Sequence, residues 1–148
     1  MKSQLKSGLI IIFAVILASC SSTKKLATPD PNKTLPAPAD KALLYVLRPS
    51  SLGFAINFKV SVDDEFLGMT KGRNYIFTYL EPGKHTILSK AENKEELDLL
   101  FDAGEIYYVE QIPKMGAIKA RNRLEILNKT EGIEKLGNCK LAKEFVVQ

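Results

Sequence analysis

The stretch "AINFKVSVDDEFLGMT", residues 55–70, decides the fold. Ile56, Phe58, Val60 and Val62 alternate with Asn57, Lys59 and Ser61, so one side is apolar and the other polar, the mark of a half-buried strand. The run ends in Asp63-Asp64-Glu65, where a tight hairpin turn is expected because Asp tolerates the backbone angles such turns require. "FLGMT" then returns as the second arm.

Working outward, the same grammar repeats. "NYIFTYL" (residues 74–80) is rich in aromatic and branched residues, and "EPGK" after it carries Pro and Gly at the central positions of a type II turn, so "HTILSKA" is expected to return as a strand. "LDLLF" places Leu97, Leu99 and Phe101 on one face; Asn93 followed by Glu96 also resembles a helix capping box, but strand is preferred. After the Asp102-Ala103-Gly104 turn come "EIYYVEQI", a strong strand, and "RNRLEIL", a weaker one. "ALLYVLR" (residues 42–48) is apolar on both faces, as a central strand would be. A short helix is expected near the C-terminus, with Thr130 as its cap, Ile133 and Leu136 packing inward and Gly137 at its end. The spacing of turns predicts a mainly β domain, an antiparallel β-sandwich or open barrel of about seven to eight strands with that one helix.

"VDDEFLG", "NYIFTYLEPGKHTI" and "DAGEIYYVEQI" resemble the single-domain bacterial lipoproteins grouped as domain of unknown function 2846, related in pattern to PEGA-type β-sandwich modules. The resemblance runs from Ala42 to Leu136 and implies a β-sandwich in the cell envelope. It hands over no catalytic residue.

In front of the domain, the apolar run Leu9–Ala18 is too short for the ~20 residues a membrane-spanning helix needs. Lys2 and Lys6 before it and small residues after it make residues 1–19 a secretory signal rather than part of the fold. Leu17-Ala18-Ser19-Cys20 resembles the lipobox of bacterial lipoproteins, which implies cleavage before Cys20 and covalent lipid on it, anchoring the protein in the membrane. Ser21 stands where, in the enterobacterial pattern, an aspartate would retain the product at the inner membrane, so the outer membrane, facing the periplasm, is the implied location. Residues 20–40 hold four of the seven prolines and read as a tether, leaving residues 41–148 as one monomeric domain.

With Lys2 and Lys6 removed, 21 basic residues become 19 against 17 acidic ones, and the net charge falls from +4 to about +2. That balance gives no footprint for nucleic acid. With Cys20 lipidated, Cys139 is the remaining thiol, which excludes an intramolecular disulfide and a cysteine-based zinc site, and no cofactor beyond the lipid is expected.

His85, the sole histidine, lacks the neighbours of a general base or of a zinc site in the sequence, and is read as structural; Cys139 is read as a buried small residue rather than its nucleophilic partner. Asp63, Asp64 and Glu65 supply too few oxygens for calcium and are read as a solvated turn. Tyr75, Phe77 and Tyr79 would stack on sugar if exposed, but aromatics at this period are core more often. Lys119, Arg121 and Arg123 share a strand face, where like charges repel unless they spread into water or meet an anion. These are the candidate contacts for an anionic ligand. The reading is a non-enzymatic binding module for an envelope protein, a cell-wall glycan or anionic lipid; the alternative is a carboxylate-based hydrolase or glycan-binding domain in the periplasm.

Overall fold

The computed structural model describes residues 34–117 and 120–147. Among them, nine strands form two sheets with one short helix near the C-terminus. In chain order they are β1 (Ala42–Arg48), β2 (Phe58–Val62), β3 (Glu65–Thr70), β4 (Asn74–Leu80), β5 (Gly83–Lys90), β6 (Lys94–Phe101), β7 (Ile106–Met115), β8 (Ala120–Leu127), α1 (Lys129–Gly137) and β9 (Lys140–Leu141). One sheet has the order β8-β7-β1-β4-β9 and the other β3-β2-β5-β6. The two sheets form a sandwich and do not close into a barrel. Pairing is not wholly antiparallel, because β1 runs parallel to β7 and β4 parallel to β9.

The hairpin expected at Asp63-Asp64 is present. Both residues have positive φ, 48° and 68°, as a primed two-residue turn requires. The Pro82-Gly83 corner does not make a hairpin, since β4 lies in one sheet and β5 in the other; it carries the chain between layers. The strand preferred over a helix at "LDLLF" is β6.

Every residue of β1 is buried, and its two faces fill two cores. Ala42, Leu44 and Val46 meet Val60, Val62, Ile87 and Phe101 between the sheets. Leu43, Tyr45 and Leu47 pack on the outer face with Tyr75, Phe77, Tyr108, Leu136 and Cys139. Full burial on both sides is why "ALLYVLR" shows no alternation. Leu35 and Ala37, from the stretch read as tether, pack against the second core, and the Leu35 amide donates to the Tyr45 hydroxyl at 2.9 Å. Both cores are therefore drawn from residues 35–147, and the described residues carry their own interior.

The helix differs from expectation at its start. Asn128, not Thr130, is the cap, accepting from the Glu131 amide at 3.0 Å, and Ile133 is 40% exposed while Leu136 is buried. Gly132 lies so close to the Tyr108 ring that a Cβ there would overlap it, so the helix packs on β7 through a glycine. Beyond β9 the chain crosses from one sheet to the other. The Ala142 amide donates to Tyr75 O at 2.9 Å and the Val146 amide to Leu67 O at 2.6 Å, with Gly68 bridging Phe145. A Cβ at Gly68 would stand 2.7 Å from Glu144 O, which keeps that crossing tight.

Candidate functional site

The inter-sheet space changes character along β1. Its last residue, Arg48, is fully buried, and its guanidinium meets carbonyls rather than a carboxylate: Nη1 donates to Ile56 O (2.5 Å) and Thr70 O (3.3 Å), Nη2 to Gly53 O (2.8 Å) and Leu52 O (3.2 Å). Its Cζ sits 3.7 Å above the Phe58 ring, a cation–π contact. Burial lowers the Arg48 pKa to about 10, which leaves it charged at neutral pH. Beside it, Thr70 donates to Gln111 Oε1 at 2.5 Å, and Gln111 Nε2 donates to Ser89 Oγ at 2.7 Å, all three fully buried. Asn122 and Asn93 clasp each other across the sheets, the Asn122 amide donating to Asn93 Oδ1 (2.8 Å) and Asn93 Nδ2 to Asn122 O (2.9 Å). Directional bonds of this kind fix positions in a way apolar packing does not.

The surface around this end is cationic, and strand register makes it so. On the outer face of the second sheet Lys59 stands directly opposite Lys90, and Lys90 opposite Lys94, all exposed. On the first sheet Lys114 stands opposite Arg121. Like charges directly opposite one another destabilise a sheet.

Arg121 and Arg123, singled out from sequence, share a cleft of about 380 Å³ with Lys94, Lys114, Glu95 and Asn122. Asn122 Oδ1 is buried there with no hydrogen-bond partner among the described residues. Arg123 is bonded to Glu125 at 3.1 Å, whereas Arg121 and Lys114 have no ion pair among the described residues. Lys119 lies outside the described residues, as do residues 1–19, read above as a secretory signal, and Cys20. A second cleft of about 330 Å³, where the C-terminal crossing leaves β9, is lined by Lys71, Lys140 and Lys143 with Asn57, Asn74 and Glu144.

The opposite end is built differently. His85 Nδ1 lies 2.5 Å from Asp63 Oδ2 and Nε2 lies 2.8 Å from Glu81 O, while Asp63 Oδ1 accepts from the Thr86 amide at 2.9 Å. A carboxylate and a carbonyl only accept, so these two contacts favour the imidazolium, in which both ring nitrogens donate. Burial alone would lower its pKa, but the bonds to Asp63 and Glu81 and their charges outweigh it and raise the value above the ordinary 6.5. For Asp63, burial is likewise outweighed, by His85 and the Thr86 amide, and its pKa falls below 3.8. Lys41 pairs with Glu81 at 2.9 Å and Lys84 with Asp98 at 2.6 Å.

This geometry gives His85 and Asp63 structural work, tying the β2–β3 turn to the corner before β5. Cys139 is buried in the second core, at the Arg48 end of the sandwich and so away from His85, and burial pushes its thiol up to about 12. Tyr75 and Phe77 are buried in that same core. Among the described residues no three His, Cys, Asp or Glu side chains converge to hold a metal ion. None of Lys59, Lys90, Lys94 or Lys114 was singled out from sequence; each is ordinary alone, and only pairing partners reveal the rows.

The family model "Protein of unknown function (DUF2846)" matches residues 38–122, from just before β1 into β8, a span that contains every like-charged pair above. An uncharacterized protein from Haemophilus influenzae is 24% identical over 137 residues, covering 90% of this chain and 82% of the relative. With more than half of its length matched, this chain belongs to the DUF2846 family of proteins of unknown function.

Proposed function

We propose that the protein is a lipid-anchored, non-enzymatic module of the bacterial envelope that binds an anionic ligand with the Arg48 end of its sandwich. The observation that carries this reading is the register: Lys59–Lys90, Lys90–Lys94 and Lys114–Arg121 are directly opposed like-charged pairs, gathered at one end of both sheets. Local repulsion retained in an otherwise consistent fold marks a place shaped by something other than stability, and an anion is what relieves it. The Arg121/Arg123 cleft, with Lys94 and Lys114 added to it, is the concave part of that surface. The lipobox supports the address, since Cys20 follows Leu17-Ala18-Ser19 behind a basic, apolar leader.

The test is retention of residues 34–148 on beads carrying sulfated dextran, eluted with salt. The wild type is expected to need markedly more salt than a variant with Lys90, Lys114 and Arg121 all changed to Gln. Equal elution of the two would refute the assignment of the site.

A further inference from the structure

At the Arg48 end three apolar side chains face water: Leu52 is 47% exposed, Phe54 69% and Met115 82%. The segments that carry them are neighbours. A Cβ at Gly53 would stand 3.4 Å from that of Ala120, and Ala120 is the cross-strand partner of Met115. On the other flank the Gly72 amide donates to Phe54 O at 3.1 Å. The tip of the 49–57 loop therefore sits between the turn at residues 71–73 and the end of the β7–β8 ribbon.

Lys71 and Arg73 belong to the turn beside this tip, and the Lys114–Arg121 pair is next along the ribbon to Met115 and Ala120; all four are exposed and none is in an ion pair among the described residues. The loop is held from beneath, because Arg48 draws the carbonyls of Leu52, Gly53 and Ile56 inward. A buried cation bonded only to carbonyls is an expensive device for an idle loop. Its effect is to present Leu52 and Phe54 at a fixed place.

An apolar tip flanked on both sides by elements that carry free cations asks for two chemistries at once, an apolar phase and a sheet of anions beside it. A bilayer with anionic head groups supplies both within a few ångströms. We propose that this end docks on an anionic lipid bilayer, with Phe54 and Leu52 entering the head-group region and the surrounding lysines and arginines lying on lipid phosphates; this rests on the anion-binding reading above. The placement of the chain agrees with it. The Leu35 amide is bonded to the Tyr45 hydroxyl, and Tyr45 stands about 10 Å along β1 from Arg48, so the start of the described chain is tied to the half of β1 nearer the proposed contact. Proline-rich chain spans up to about 3.1 Å per residue, enough for the residues between Cys20 and Leu35 to join a lipid anchor to a domain seated on the same membrane.

The chain contains no tryptophan, so Phe54→Trp in residues 34–148 provides a sole indole reporter at an exposed site. Leu100→Trp, at a position 67% exposed beside the opposite end, is the control. With vesicles of phosphatidylglycerol and phosphatidylcholine, Phe54→Trp is expected to shift its emission to shorter wavelength and to be quenched by lipids brominated near the head group. Phosphatidylcholine alone is expected to leave it unchanged, and Leu100→Trp is expected to stay in water throughout. An unshifted Phe54→Trp, or equal quenching at both sites, overturns bilayer docking. If the same protein still binds sulfated dextran, bilayer docking alone falls and the anion reading stands; if it binds neither, both fall.

Discussion

The space between the two sheets is filled in opposite ways at its two ends. Where β1 begins, Ala42, Leu80, Ile87 and Phe101 pack with no polar atom among their side chains; where it finishes, Arg48, Thr70, Ser89, Gln111 and Asn122 occupy the equivalent volume. The surfaces diverge in parallel. At the first end charges are paired, Lys41 with Glu81, His85 with Asp63 and Lys84 with Asp98; at the second, Lys94 and Arg123 reach Glu96 and Glu125, but Lys59, Lys90, Lys114 and Arg121 are set against their own kind. The contrast separates two uses of structure within one fold. One end is stabilised by burial that tolerates change, and the other by directional bonds that hold a loop and a charged surface in one arrangement.

The sharpest way to break the comparison is at Arg48. Arg48→Met keeps the volume but removes the guanidinium donors to four carbonyls, of which Gly53 O keeps the Ile56 amide, and is expected to cost about 3 kcal/mol, read as a lower midpoint in urea. Phe101→Leu at the other end is expected to cost only about 1 kcal/mol. Equal losses would mean that the polar end is no more specified than the apolar one.

How much of this was legible in the sequence depends on the kind of order. Alternation is local, so Ile56 to Val62, the all-apolar Ala42–Arg48 and the Asp63-Asp64 turn could be read directly, and so could the shared face of Arg121 and Arg123. Register is not local. Lys59, Lys90 and Lys94 are far apart in the chain, and nothing in their own neighbourhoods says that they become a row. Arg48 at the end of an apolar strand reads as a solvent-facing terminus, since arginine is rarely buried, and its carbonyl cage comes from a loop without pattern. The helix cap was available but misplaced: Asn128 with Glu131 three residues on fits a capping signature as well as Thr130 did. The parallel β1–β7 pair is a matter of topology, which strand-by-strand reading does not reach.

A smaller effect sharpens the contrast between paired and opposed charges. Lys90→Glu replaces two repulsions with two attractions and is expected to stabilise the domain by about 0.5 kcal/mol, less at high salt, while weakening retention on sulfated dextran. A charge reversal that raised both stability and anion binding would break the link between them.

The smallest effect concerns the paired end. The raised His85 pKa gives stability that is complete below the ordinary 6.5 and lost as pH rises through the folded value. The lowered Asp63 pKa gives stability present above 3.8 and lost as pH falls through its folded value. His85→Gln is therefore expected to cost under about 0.5 kcal/mol, most of it between those limits, and nothing at alkaline pH. Melts across pH check this, and a pH-independent difference would assign His85 a packing role instead.

The claim at the centre of this account is that the opposed cations are held apart by the fold and relieved by an anion. It is tested most directly by the melting temperature of residues 34–148 as inorganic polyphosphate is added at low salt, for the wild type and for Lys90→Glu/Arg121→Glu. The wild type is expected to rise with polyphosphate by mass action, and the variant to start higher and stay there. A wild type that does not move, or a variant that rises as far, would contradict it.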